Sequence, residues 1–182
     1  MRSQLEQIEN QTCVKFVPHS TERDYIVIGN YNGCSSLLGR RGGRQKISMS
    51  YNRTRKTTCL RGTTMVHEMM HAFGIHHMHN SIDRDKYISV RLENVRPSSH
   101  KNFKIVDDSS QESPYDLRSA THYGRGSYSN NGGDVIVPHD PSFLSIIGHA
   151  KELSAGDITR INRLHSCPSL SSKLTNIESL RK

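Results

Sequence analysis

The sequence lacks tryptophan, internal repeats and any long apolar run, and each absence narrows what the chain can be. A helix that crosses a membrane needs about 20 consecutive apolar residues, so we expect no membrane span. Residues 1–6 carry no apolar stretch of the kind that a signal peptide needs. With 182 residues, the chain is long enough for one domain, or for one domain divided by a cleft.

The chain also lacks any CxxC pair, which argues against a second zinc site built from cysteines. Its four cysteines are an even number, which is compatible with two disulfides and, as the alternative, with free thiols: Cys13, Cys34, Cys59 and Cys167. Disulfides would place the protein outside the cytosol. Two glycosylation sequons, at Asn10 and Asn52, agree with a secreted glycoprotein.

The chain is basic, with 25 Lys and Arg against 17 Asp and Glu, and a formal net charge of +8. Such a charge can indicate binding to nucleic acid or to another polyanion. Here the basic residues are scattered among Gly, Ser and Thr, without an aromatic platform: Arg40, Arg41, Arg44, Lys46, Arg53, Arg55, Lys56 and Arg61. The pattern predicts a solvated basic face and no nucleic-acid partner.

One stretch, residues 66–77, brings three imidazoles and a carboxylate to the spacing of a catalytic zinc site. Four residues advance an α-helix by about 400°, so His67 and His71 lie one turn apart on the same face. Gly74 can end the helix and let the chain turn back, which makes His77 the third ligand. Three protein ligands leave a zinc position open for water, as catalysis requires.

Glu68 lies beside the first ligand and is the predicted general base, which takes a proton from water activated by zinc. The full HExxHxxGxxH pattern is much more specific than HExxH, because it fixes the ligands, the base and the turn residue together. A histidine-rich surface patch is the alternative, but the residues between the polar ones are apolar, as in a buried helix. His76 and His79 do not fit the ligand spacing, and we expect them at the rim or behind the ligands.

Periodicity and capping patterns predict three helices. The first covers residues 2–10, with Leu5 and Ile8 on one face. The second is the ligand-bearing helix, capped by Thr63 or Thr64. The last begins with a capping box formed by Ser154 and Asp157 and ends near Cys167.

Short β-branched or alternating runs predict strands at residues 13–17, 25–28 and 45–50. The last run alternates polar with apolar residues, which is typical of a strand with one solvated face. We expect it to be an edge strand that holds an extended substrate in antiparallel pairing, since an edge offers unpaired backbone groups. Residues 115–133, rich in Tyr, Ser, Asn and Gly, predict a long loop.

With these motifs in place, the chain resembles the astacin family of zinc endopeptidases, within the metzincins, from Cys13 to Cys167. The likeness rests on the zinc motif and on many ordered matches: Thr12-Cys13-Val14-Lys15-Phe16, Gly33-Cys34-Ser35-Ser36-Leu37-Leu38-Gly39-Arg40, Gly43 with Gln45, Asp83-Arg84-Asp85-Lys86-Tyr87, Asn102-Phe103, Tyr115-Asp116, Ser119-Ala120-Thr121-His122-Tyr123-Gly124, Ile147-Gly148, Leu153-Ser154 and Asp157-Ile158.

The resemblance implies a two-lobed α+β (α/β) fold of the zincin type, with a horizontal cleft between the lobes. Residues 1–167 would form the peptidase domain, with an N-terminal lobe of a mixed sheet and the active-site helix at about 1–77. A largely irregular C-terminal lobe with a final helix would follow at about 78–167. We expect residues 168–182 to be a flexible polar tail.

The resemblance also implies the site: one Zn2+ per chain on His67, His71 and His77, with Glu68 as base. Tyr123 would be a further, displaceable ligand that hydrogen-bonds the oxyanion of the transition state, and a core tyrosine is its structural alternative. The implied disulfides join Cys13 to Cys167 and Cys34 to Cys59.

The sequence departs from the family at several positions. Met78 replaces the glutamate that follows the third ligand, and Thr121 replaces the methionine of the Met-turn. Ser81 and Ile82 stand where Arg and Pro are usual. About thirty residues before Cys13 that the family has would be missing, including the first strand and part of the first helix.

Three function classes remain open. The first is a secreted zinc-dependent endopeptidase that acts on protein or peptide substrates. The second is a protease-like zinc protein with weak or no activity, which acts by binding peptides or proteins. The third is a basic protein that binds a polyanion. The oligomeric state cannot be predicted from the sequence.

Overall fold

The computed structural model describes residues 2–52, 57–60, 62–107 and 113–168. Three α-helices and seven strands lie within these ranges: α1 (Arg2–Gln11), β1 (Tyr25–Gly29), β2 (Cys34–Ser36), β3 (Arg44–Met49), β4 (Tyr51–Asn52), β5 (Thr57–Thr58), α2 (Thr64–Phe73), β6 (Ile88–Val90), β7 (Ile136–Pro138) and α3 (Ala155–Leu164). No helix in these ranges is long and apolar enough to cross a membrane.

The predicted first helix is confirmed as α1, which buries Leu5 and Ile8. The strand predicted at residues 13–17 is wrong, because that segment forms no ladder with another strand. Its polar groups pair with α1 instead: the Phe16 N–H donates to a Glu9 carboxylate oxygen at 2.8 Å, and Lys15 Nζ donates to the Glu9 carbonyl. An apolar run can therefore be extended and still lie against a helix.

A three-stranded sheet packs next to α2, with the order β1-β3-β2. β1 runs parallel to β3, and β2 runs antiparallel to it. The strand predicted at residues 45–50 is confirmed as β3, but the expectation that it is an edge strand is wrong. Both of its edges are paired, and Ile47 at its centre is fully buried. β3 therefore has no backbone edge to offer to a substrate.

The ligand-bearing helix α2 is apolar between its polar residues and lies in the core. Thr63 occupies its N-cap position, but the predicted side-chain cap is wrong: the Thr63 hydroxyl donates to the Ala150 carbonyl at 3.0 Å. Gly74 ends the helix in the left-handed region, with φ of 102°, and its N–H donates to the His71 carbonyl. The predicted turn at Gly74 is confirmed, and a side chain with a Cβ would be strained at this φ.

Two hydrophobic clusters form the interior. The first joins α1, β3 and α2 with residues from the C-terminal part of the chain, among them Ala120, Leu153 and Ile161. The second lies around the β6–β7 pair and includes Ile88, Phe103 and Ile147, among others. A capping box at Ser154 and Asp157 opens α3, as predicted.

Two disulfides tie distant segments together, between Cys13 and Cys167 and between Cys34 and Cys59. These are the pairs that the family resemblance implies. The first links the end of α1 to the segment after α3, and the second fixes β2 near the start of α2. The predicted tail lies, apart from Pro168, outside the described residues.

Candidate metal centre and active site

Three histidines meet beside α2, two of them on the helix and one on the segment that follows it. His71 Nε2 lies 3.0 Å from His67 Nε2 and 3.1 Å from His77 Nε2. The rings of His67 and His71 are nearly perpendicular, at 89°. The helix supplies the first two side chains, and the turn at Gly74 returns the third to the same point.

The second ring nitrogens of the helical ligands are fixed by backbone carbonyls. His67 Nδ1 lies 2.8 Å from the Ala120 oxygen, and His71 Nδ1 lies 2.8 Å from the Ile75 oxygen. Since a carbonyl only accepts, each Nδ1 carries the proton and each Nε2 presents its lone pair to the cluster. Lone pairs facing each other across 3.0 Å need a shared cation.

The geometry fits zinc. Tetrahedral zinc with Zn–N bonds of about 2.0–2.1 Å holds its ligand nitrogens about 3.3 Å apart, close to the separations found here. The three residues form a group of potential metal ligands within the described chain, with one nitrogen from each within 4.8 Å of the others. We therefore assign one Zn2+ per chain to this site.

Burial keeps these imidazoles neutral. It lowers the pKa of His71 to about 4, and it also lowers the pKa of His67 and of His77. The nearby Ala120 carbonyl opposes the fall for His67. At neutral pH all three rings are in the form that binds a metal ion.

Glu68 points into the same site and is only 5% exposed. Burial raises the pKa of its carboxyl to about 7, while a hydrogen bond from the Ser36 backbone opposes that rise. A carboxyl with a pKa near neutrality can accept and release a proton at working pH, which suits a general base.

Tyr123 lies against the third ligand, with its ring centroid 4.5 Å from that of His77. Its pKa is raised mainly by burial and further by the neighbouring Tyr128 and Glu68. The phenol is therefore protonated at neutral pH and can donate a hydrogen bond. Sequence reasoning missed Tyr128, whose ring centroid lies 5.6 Å from that of Tyr123.

An open cleft of about 310 Å³ runs between the start of α2 and the loop that carries Tyr123. Its wall includes His67, Glu68 and Tyr123, so a metal ligand, the base and the phenol border one space. The other lining residues carry no formal charge: Thr63, Thr64, Ala120, His122, Gly124, Ser127 and Gly148. This part of the cleft therefore offers hydroxyls, backbone groups and one imidazole.

The two extra histidines differ from each other. His76 lies outside the three-residue metal group and is partly exposed. His79 is fully buried, so it does not lie at the rim. Its ring stacks on Tyr123 at 3.9 Å, and its Nε2 bonds the Asn102 carbonyl at 3.0 Å. It is thus placed behind the phenol and not among the ligands.

Two of the residues that depart from the family pattern, Met78 and Thr121, have partners in the structure. Met78 is 1% exposed, and its sulfur accepts from the Asp116 N–H at 3.5 Å. Thr121 is fully buried, and its hydroxyl lies 3.0 Å from Ser119 Oγ. Neither side chain adds an unpaired polar atom of its own to the floor of the site.

The backbone groups that act on the site could not be predicted from the sequence. The Ala120 and Ile75 carbonyls and the Ser36 N–H all act on ligands or base, yet no side-chain pattern marks them. The sequence predicts Asp157 only as a helix cap, but its carboxylate also accepts a hydrogen bond from the Ala120 N–H, in the segment beneath His67.

Comparison with known proteins agrees with this site. Residues 1–166 match the peptidase family described as Astacin. The chain is 35% identical over 168 residues to Zinc metalloproteinase nas-8 of Steinernema carpocapsae, covering 90% of this chain and 39% of that protein. It is 38% identical over 158 residues to High choriolytic enzyme 1 of Oryzias latipes, covering 86% of this chain and 56% of that protein.

The fold is also that of a solved structure. High choriolytic enzyme 1, a hatching enzyme zinc-protease from Oryzias latipes, superposes with a TM-score of 0.83 at 36% identity, covering 92% of this chain and 81% of that one. This confirms the predicted two-lobed α+β metzincin class. The chain spans only about two fifths to three fifths of the curated relatives named above, from 39% to 56% of their length.

Proposed function

This chain belongs to the astacin family of zinc peptidases, and on that premise we propose that it is a secreted endopeptidase that hydrolyses peptide bonds in protein or peptide substrates. One observation carries the proposal. Three neutral imidazoles converge through their Nε2 atoms, and the cleft that His67 borders also contains Glu68 and Tyr123.

His67, His71 and His77 would hold the zinc ion, which supplies Lewis acidity: it lowers the pKa of water and polarises a carbonyl. Glu68 takes a proton from the attacking water and delivers it to the leaving amine. Tyr123 donates a hydrogen bond to the carbonyl oxygen as negative charge develops on it, in a site where burial strengthens that interaction.

We place the substrate along β2. The Ser36 backbone acts on the carboxylate of Glu68, which lines the cleft, so this strand lies beside the proposed base. Within the described residues β2 pairs only with β3, which leaves its other edge open. An extended peptide paired with that edge would be held by main-chain bonds and carried past the metal ligands.

Secretion is supported by the two disulfides, which persist in oxidising compartments. The exposed Asn10 sequon on α1 is accessible for glycosylation. The activity and the substrates of the whole protein are part of this proposal, since the chain spans only part of the length of its relatives.

A second candidate is a zinc protein with weak or no activity. Met78 and Thr121 favour it, because they replace two residues of the family pattern next to the site. The structure gives each of them a packed or hydrogen-bonded place, so we rank catalysis first.

Zinc content and cleavage of an unstructured protein such as casein decide between the two. We expect one zinc per chain, turnover abolished by a chelator and restored by zinc. Glu68→Gln should keep the zinc and lose activity by about 10²–10⁴, since the amide is nearly isosteric but cannot take the proton. A folded, zinc-loaded parent that cleaves nothing would establish the second candidate.

A further inference from the structure

A buried ion pair lies beneath the metal ligands, outside the residues that the proposed mechanism uses. Asp157 and Arg160, one turn apart on α3, have side chains with no exposed surface. Arg160 Nη2 lies 3.2 Å from Asp157 Oδ1. Removing two charges from water is costly, so a buried ion pair needs further hydrogen bonds besides the attraction between its two charges.

The Asp157 carboxylate receives four donors, two on each oxygen. Oδ1 accepts from Ser119 Oγ at 2.6 Å and from Arg160. Oδ2 accepts from the Ala120 N–H at 2.8 Å and from the Ser154 N–H at 3.2 Å. Only the Ser154 contact belongs to the cap of α3. The bonds to Ser119 and Ala120 attach the carboxylate to a different part of the chain.

That part is the turn at residues 119–121, which touches the segments of two metal ligands. The Ala120 carbonyl fixes His67 Nδ1 at 2.8 Å. The Thr121 carbonyl accepts from the Met78 N–H at 3.3 Å, directly after His77. Ser119 Oγ also accepts from the Thr121 N–H at 3.1 Å, which closes the turn on itself.

We propose that Asp157 is a positioning residue for the metal centre, which clamps the turn at residues 119–121 so that the Ala120 carbonyl holds the His67 ring in its metal-binding orientation. Arg160 pairs with the buried carboxylate and helps to hold it in place. The inference rests on the proposed zinc site. Its physical basis is that partners which orient a ligand typically change metal affinity by about 10–100-fold when they are lost.

The competing explanation is that Asp157 only caps α3. Ser154 separates the two roles, because Ser154 Oγ accepts the Asp157 N–H at 2.9 Å and belongs to the same capping box. Ser154→Ala removes that cap bond and also the bond from Ser154 Oγ to the Asp116 carboxylate, while the Asp157 contacts to Ser119 and Ala120 remain. Asp157→Asn keeps the size of the side chain, but its amide nitrogen must face two of the four donors, whichever oxygen it replaces.

The test is the zinc affinity of the full chain, measured by competition with a chromogenic chelator at neutral pH, beside the thermal unfolding of each zinc-free variant. We expect Asp157→Asn to lower zinc affinity about 10–100-fold. We expect Ser154→Ala to destabilise the zinc-free fold and to leave the affinity within about twofold. Parental affinity in Asp157→Asn, or an equal loss in both variants, would overturn the inference.

If Asp157→Asn does not fold, Ser119→Ala decides. It removes the bond to Asp157 Oδ1 and the bond to the Thr121 N–H but leaves Ala120 attached, so a loss of several-fold supports the clamp and an unchanged affinity refutes it. The zinc affinity is measured without substrate cleavage, so it does not depend on whether the chain is an active peptidase. A parent that binds zinc but cleaves nothing would overturn the proposed function and leave this inference standing, whereas a parent that binds no zinc would overturn both.

Discussion

The backbone N–H of Ser36, at the end of the edge strand β2, acts on the carboxylate of Glu68, on the neighbouring helix. This contact joins the strand that we assign to substrate binding to the residue that we assign to proton transfer. It also lowers the pKa of Glu68 against the larger, opposite effect of burial. The acidity of the proposed base thus depends on burial first and on this backbone group second.

Ser36→Pro removes that N–H, and Ser36→Ala keeps it. Without the hydrogen bond the pKa of Glu68 should rise above its value of about 7, so the acid limb of the kcat/KM profile should move to higher pH in Ser36→Pro. Zinc content should be unchanged in both. Peptide cleavage across the pH range checks this, and an acid limb that moves equally in Ser36→Ala would contradict it.

Tyr123→Phe should lower kcat more than it raises KM, because the lost hydrogen bond forms mainly in the transition state. The loss should be about 10²–10³ in kcat, as for one oxyanion donor. Steady-state kinetics with zinc content as the control measure it. A rise in KM with an unchanged kcat would show that Tyr123 contributes only to substrate binding.

The zinc-free protein should lose stability as the pH falls from 6.5 towards 4. Burial lowers the pKa of His122 from 6.5 to about 4, so between these values the unfolded chain binds more protons than the folded one, and acid favours unfolding. The contribution of His122 to the free energy of unfolding is fully present above pH 6.5 and is on the order of 3 kcal/mol. Thermal unfolding in chelator at several pH values measures it.

His122→Gln is the matched variant, since glutamine can still bond the Tyr115 hydroxyl that lies 2.7 Å from His122 Nε2. Its stability should vary less with pH over the same range. An identical pH dependence in parent and variant would assign the effect to the other buried histidines.

Thr121→Met should destabilise the protein, although it restores a residue of the family pattern. Thr121 is fully buried, and a longer side chain there overpacks the floor of the site, at a cost of about 1–3 kcal/mol. Thr121→Val, which keeps the shape and loses the bond to Ser119, should lose about 1 kcal/mol. Urea unfolding of the zinc-free proteins compares them, and a stabilised Thr121→Met would reveal a void.

The zinc motif could be predicted because helical periodicity alone sets His67 beside His71, and a glycine in the left-handed region has a recognisable place after a helix. The capping box at Ser154 was predictable for the same reason: it depends on four consecutive positions. The side-chain cap at Thr63 failed because its hydroxyl took a tertiary partner instead, the Ala150 carbonyl from a distant part of the chain.

Strand neighbours could not be predicted. Alternation at residues 45–50 predicts a solvated face, yet Ser48 on that face is buried. Alternation also does not show whether the backbone edges are paired, and here both are. The lobe boundary at 77/78 stays a prediction. The cluster around α2 also takes Ala120, Leu153 and Ile161 from beyond it, so the packing joins segments that a linear division separates.

The bond between Cys13 and Cys167, which lie 154 residues apart, closes most of the chain into a covalent ring. A peptidase is exposed to cleavage by its own copies, and one cut within this ring would leave both fragments attached to each other. Such a nicked molecule would run as a single band on a gel without reductant and separate into two with it. Gels of stored enzyme run without reductant would therefore conceal autolysis.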